Sequence, residues 1–182
     1  TDTLAGDSRW GRSASNPIND LRGWKRTVLQ TSGITPDTLY LGADAADAFL
    51  ADGRIQAMLD IRNMGVGAIN VADLPNGVEY LGRVVDLDVF CYPEWYINDS
   101  TGVETPMIPV ASAILCPSAA RNPGAAMLYG AYYDVADQRT YVGPRIPRTW
   151  ADKGSNARFM EVVSFPVPFM PDADSWLVAT VV

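Results

Sequence analysis

The chain has 182 residues, 48% apolar and 19% charged, a globular balance that excludes the disordered and fibrous classes and leaves room for one domain or two small lobes. A formal net charge of −7 argues against binding to phosphate backbones, so no sequence-specific nucleic-acid partner is expected, and the absence of histidine removes the commonest general base and zinc ligand. No apolar run is long enough to span a bilayer and Thr1-Asp2-Thr3-Leu4 has no leader character, so neither a membrane nor a secretion signal is expected; Thr1 in place of Met points to a natural beginning further upstream.

The first predicted element starts at Asn16-Pro17, an N-cap followed by proline at the first helical position. Ile18, Leu21, Trp24 or Lys25, Val28 and Leu29 recur at helical spacing and Gly33 supplies a left-handed C-cap, which predicts a helix over 17–32 with Arg22, Lys25 and Arg26 off its apolar stripe. The run 37–42 reads as a strand ended by Gly42, and 43–50 as a short helix. A third helical pattern uses Ile55, Met58, Leu59 and Arg62 before Gly65 and Gly67.

From Gly77 the period becomes two. Val85, Leu87, Val89 and Cys91 alternate with Asp86, Asp88 and Phe90 as on a strand with one buried face. The cluster from Asn98 to Gly102 predicts a hairpin turn between 94–97 and 103–108; further strands are expected at 108–116, 127–133, 159–165 and 176–182. Nine of the thirteen prolines fall between Pro106 and Pro171, which makes that half strands and extended loops rather than long helices. The class is therefore α+β, with no internal repeat.

Charge is segregated. Arg9 to Arg26 carries five basic residues against Asp20, Asp37 to Asp137 carries fourteen acids against four arginines, and Arg139 to Arg158 carries five basic residues against Asp152. Solvated surface is one reading; steering one copy's basic face onto another's acidic face is the other. Cys91 and Cys116 read as reduced thiols. Met64 to Ala68 lacks the Lys-Ser or Lys-Thr of a phosphate loop, and no serine elbow, calcium-loop spacing or cofactor motif occurs, so no cofactor is expected. Asp86 and Asp88, two apart on a strand, with Glu94, are the candidates for a carboxylate hydrolase. Trp10 is singled out as an aromatic packing against a neighbour.

Three stretches in order resemble the lambda-type phage major capsid proteins. They are Trp10 with Ser15-Asn16-Pro17-Ile18-Asn19-Asp20-Leu21; Pro36-Asp37-Thr38-Leu39-Tyr40-Leu41-Gly42 with the following helix; and the closing segment, Tyr141 through Arg148-Thr149-Trp150, Ala157-Arg158-Phe159 and Pro171-Asp172-Ala173-Asp174-Ser175-Trp176. The resemblance implies the Hong-Kong-97-like fold shared by tailed-phage capsids and encapsulins. It implies a peripheral lobe from 1–33 and 132–165 built on a spine helix at 17–32, and an axial lobe from 34–131 and 166–182. The family's amino-terminal arm and extended loop have no room in this sequence. The implied function is a non-enzymatic subunit that forms pentamers and hexamers of an icosahedral shell around phage DNA, with a decoration protein, portal and scaffold as further partners. An encapsulin-like compartment is the near alternative. With only Lys25 and Lys153, the chain is poorly supplied for isopeptide cross-linking. Trp10, Arg22, Lys25, Arg26, Arg145, Arg148 and Trp150 are the expected subunit-interface residues.

Overall fold

Asn16 and Gly33 bound the first helix as the sequence predicts. In the computed structural model, which describes residues 1–57, 72–73, 77–118, 126–135, 137–152, 154, 156–170 and 172–182, α1 spans Pro17–Ser32. The Asn16 side chain accepts a hydrogen bond from the Asn19 N–H, and Gly33, at φ 72°, donates its N–H to the Leu29 carbonyl at 3.0 Å. Pro17, Leu21, Trp24 and Val28 are buried. Leu29, expected in the same stripe, lies about 100° round the helix from Val28 and is 45% exposed.

The strands in chain order are β1 (Asp2–Thr3), β2 (Thr38–Leu41), β3 (Ala72–Asp73), β4 (Glu79–Val84), β5 (Leu87–Cys91), β6 (Trp95–Ile97), β7 (Glu104–Pro106) and β8 (Ser112–Cys116). They continue as β9 (Ala126–Tyr129), β10 (Ala131–Asp134), β11 (Arg139–Val142), β12 (Ile146–Asp152), β13 (Ala157–Val163), β14 (Pro166–Phe169) and β15 (Leu177–Thr180). A second helix, α2, spans Ala43–Ala51. Seven strands form a mixed sheet in the order β1-β15-β8-β2-β5-β4-β3, parallel at β1/β15 and β2/β5. The other sheets are two-stranded ribbons: β6–β7, β9–β14, β10–β11 and β12–β13.

The chain divides into two units, Thr1–Asn122 with Asp172–Val182, and Pro123–Pro171. The first holds the core. Leu39, Leu41, Leu87, Leu115 and Ala179 of the sheet are fully buried beside Trp10, Leu21, Trp24, Phe49 and Ile55. Each such large side chain contributes roughly 2 kcal/mol by leaving water. Helix α1 thus packs in the first unit, anchored by Leu21 and Trp24.

Other expectations shift at their boundaries. The strand predicted to begin near Val85 begins at Leu87, because Val85 and Asp86 form the tight turn between β4 and β5 at φ 53° and 60°. Asp86 therefore does not share a strand face with Asp88. The run 127–133 is two strands, parted at Gly130, where a side chain would press on Phe165 Cβ at 3.2 Å. The strand expected from Ile108 starts only at Ser112, whose N–H turns back to the Pro109 carbonyl. Gly53 to Ala57 is helical and Ile55 buried, but Met58, Leu59, Arg62, Gly65 and Gly67 lie outside the described residues, as does the stretch from Met64 to Ala68.

Gly42 closes β2 where the chain from Pro109 to Ser112 crosses it. Its N–H bonds Ser112 O at 2.9 Å, and a Cβ there would lie 2.6 Å from Val110 O and meet Pro109 O as well. Backbone atoms cannot give way cheaply, so Gly42→Ala is expected to cost at least about 2 kcal/mol, read as a lower urea midpoint at unchanged slope.

Cys91 and Cys116 are free and buried. Burial first, and then the Asp37 carboxylate, push the Cys116 thiol up to about 12 from an ordinary 9.0. Below pH 9 the thiol is neutral folded or unfolded. Above it the unfolded chain ionises while the folded one resists, so this contribution is lost as pH climbs from about 9 to 12. Wild type should therefore lose thermal stability over that window more steeply than Cys116→Ala; parallel curves would contradict it.

Candidate functional site

The seven expected interface residues fall in three places. Trp10 is a correction: it is 2% exposed inside the chain's own core, its ring 6.0 Å from Trp24 and 5.5 Å from Phe49, with its indole N–H donated to Asp20 Oδ2 at 3.1 Å. It is not available to a neighbour, because the segment before α1 folds back and Trp10 N–H bonds the Val181 carbonyl. Burial, partly offset by the indole bond, raises the Asp20 pKa.

Arg22, Lys25 and Arg26 do come together. They line a shallow groove with Leu29, Thr35, Val85 and Asp86 on the outer side of α1. Lys25 Nζ donates to the Val85 carbonyl at 2.9 Å, tying the helix to the tight turn, while Arg22 and Arg26 are exposed.

The other three are in the second unit. Arg145 is exposed just before β12. Arg148 and Trp150 share one face of the β12–β13 ribbon, since residues two apart on a strand point the same way. Arg148 Nε donates to the buried Asp134 carboxylate at 2.8 Å and Nη1 to Glu161 Oε2 at 3.4 Å. Its guanidinium lies 4.9 Å from the Tyr132 ring and 5.8 Å from Trp150, which stacks on Phe159 at 5.6 Å. A planar cation that never deprotonates, held by two carboxylates and two rings, is a clasp between β10 and β12 rather than an acid or a base. Beside it a cavity of about 230 Å³ is lined by Asp134, Asp137, Tyr141, Ile146, Arg148 and Trp150. There the Tyr141 hydroxyl donates to Asp137 at 3.1 Å, and that bond raises its pKa.

The hydrolase candidates do not converge. Asp86 sits in the turn, Asp88 accepts from the Tyr80 hydroxyl at 3.1 Å, and Glu94 accepts from the Tyr92 hydroxyl at 2.9 Å. Among the described residues no group of three metal-ligating side chains occurs, and no helix is long and apolar enough to cross a membrane.

What sequence reasoning missed is the surface of the second unit. Among the described residues, fourteen of the twenty-three exposed large apolar side chains lie within Pro123–Pro171, among them Met127, Leu128, Phe159, Met160, Val167 and Phe169, while Ile146 is the one buried apolar residue described there. The β9–β14 ribbon is apolar on both faces: Leu128 with Val167 on one, Met127 with Pro168 on the other. A ribbon of that kind buries nothing by itself. The signal was present in the run from Phe165 to Met170, but its prolines read as a linker.

Among the described residues, the second unit thus exposes much apolar surface and buries little, while the first has a closed core. A family model of the phage major capsid protein E matches residues 1–181. The chain belongs to the phage major capsid protein E family. Two crystal structures share the fold of this capsid-family chain. One, described as the capsid protein of an Escherichia coli CFT073 prophage, has a TM-score of 0.65 at 17% identity and covers 100% of this chain and 52% of its own. The other, a phage-related protein of Bordetella bronchiseptica RB50, has a TM-score of 0.57 at 11% identity and covers 97% and 53%. The chain thus spans about half the length of the solved structures it matches. No curated protein matches it.

In this capsid-family chain the Arg148 clasp neutralises a carboxylate that is 4% exposed. Arg148→Met is expected to lower the urea midpoint, and Asp134→Asn added to it to restore part of that loss, because the two side chains are coupled through their ion pair. A urea double-mutant cycle measures both; strictly additive losses would contradict the coupling.

Proposed function

We propose that this chain is the shell-forming part of a capsid subunit that closes head-to-tail into pentamers and hexamers, and that these tile an icosahedral shell around phage DNA. The observation that carries this reading is the concentration of exposed apolar side chains on Pro123–Pro171, beside a first unit whose core is already closed. Family membership supports the same conclusion. A contact between two different patches of the subunit generates rings, and many such contacts of ordinary size hold a shell by avidity. In this reading the seven-stranded unit is the axial lobe and the strands of 132–165 belong to the peripheral lobe. The shell is a virion component whose subunits collect in the host cytoplasm, around a portal and scaffold, before closing. Lys25 is occupied by the Val85 carbonyl, which favours reinforcement by a decoration protein over lysine cross-links. A net charge of −7 keeps the wall from gluing to packaged DNA.

Expressed alone, the full-length gene product is expected to form rings or shells visible by negative-stain microscopy and sedimenting far ahead of a monomer. A product that stays monomeric across ionic strength, concentration and crowding would sink the reading.

A further inference from the structure

Two ribbons, one in each unit, carry the same edge design. In β9–β14 the Gly130 N–H donates to the Phe165 carbonyl at 2.9 Å, so Phe165, Val167 and Phe169 direct their backbone groups at β9. Pro166 and Pro168 consequently face outward, and proline has no N–H to offer there. The outer edge of β14 is closed. On β9 the outward residues are Met127 and Tyr129, and their N–H and C=O groups meet no other strand among the described residues.

The β6–β7 ribbon repeats the pattern. Met107 N–H donates to Glu94 O at 2.9 Å and Asn98 N–H to Val103 O at 3.0 Å, which turns Trp95 and Ile97 outward on β6 and Glu104 and Pro106 outward on β7. One edge again carries proline and a charge, which is how natural sheets block unwanted pairing. The other is an open edge bearing Trp95 and Ile97, which are 56% and 65% exposed.

We propose that β6 of one copy adds edgewise to β9 of the next, making one four-stranded sheet, β7-β6-β9-β14, shared between two copies. The occupant of the β9 edge is thus a second copy of this chain, and the inference rests on the capsid reading above. Three features single out this pairing. The joined sheet has prolines at both outer edges, Pro106 on one side and Pro166 with Pro168 on the other, so it stops at four strands. Outward residues on facing strands share one face, which sets Trp95 and Ile97 against Met127 and Tyr129 as aromatic and aliphatic cross-strand pairs. The two edges belong to different patches, so the contact is heterologous and generates rings rather than isolated dimers.

The test uses the full-length gene product. Ile97→Pro and Tyr129→Pro each delete one outward N–H and leave the ladders to β7 and β14 intact. Each should keep the circular dichroism and Tm of the unassembled chain, yet raise the concentration needed for assembly about tenfold or more. Ile97→Val and Tyr129→Phe, which keep the N–H, should assemble as wild type. An equimolar mixture of the two proline variants, with one usable edge each, should sediment as dimers and form no rings. If wild type and both proline variants assemble alike, the pairing falls and the capsid reading stands; a wild type that never assembles sinks both. Loss of assembly with Tyr129→Pro but not with Ile97→Pro also overturns the pairing, because β9 would then meet something other than β6. Should a proline variant fail to fold, Tyr129→Cys combined with Ile97→Cys or Trp95→Cys replaces it. Oxidised assemblies should give covalent ladders on non-reducing gels, and monomer alone overturns the proposal.

Discussion

Strand β2 is the element without which the first unit does not exist. It is bonded on both sides, parallel to β5 and antiparallel to β8, with Leu39 and Leu41 at zero exposure. Remove it and the sheet falls into two separate three-stranded pieces, β1-β15-β8 and β5-β4-β3. Its ends are fixed as firmly as its middle. Asp37 accepts both the N–H and the hydroxyl of Ser118, and Gly42 lies under the Pro109–Val110 backbone, where only a residue without Cβ fits. Helices α1 and α2 then pack their buried residues into one cluster with β2.

Among its described residues the second unit has no such strand. All of its described sheets are two-stranded, and an ion pair between the buried Asp134 and the partly exposed Arg148 lines the same cavity as Ile146, the one buried apolar side chain described there. With its arginine partly exposed and screened by water, this salt bridge fixes geometry more than it stabilises. The stabilising term available to this unit is apolar area still in contact with water, worth about 25 cal/mol for each Å² covered.

Much of the fold was legible in the chain because local chemistry decided it. Asn16-Pro17 and Gly33 fixed both ends of α1, alternation found β5, and the Asn98 to Gly102 cluster marked the β6–β7 turn. The failures occurred where a distant contact overrode the local signal. Val85 and Asp86 continue the alternation but turn with positive φ, a conformation β-branched residues avoid, held by the Lys25 bond to the Val85 carbonyl. Trp10 looked exposed because it precedes the first helix, but its backbone is bonded to Val181, at the far end of the chain, and its ring packs against Trp24 and Phe49. That Arg22, Lys25 and Arg26 lie off the apolar stripe could be read from helix phase; the groove they line with Thr35, Val85 and Asp86 could not. The Arg148 clasp could not, since Glu161 is joined to it only by strand register and Asp134 belongs to a different ribbon.

The two cysteines flank β2 at opposite ends: Cys91 is aligned with Leu41 and Cys116 with Thr38. Three residues of extended strand, roughly 10 Å, is too long a span for a disulfide, which needs α-carbons within about 7 Å. Both sulfurs are also shielded from outside oxidants and thiols. The fold is therefore indifferent to redox conditions: passage from a reducing cell into air-saturated surroundings would bring no covalent rearrangement between these two thiols.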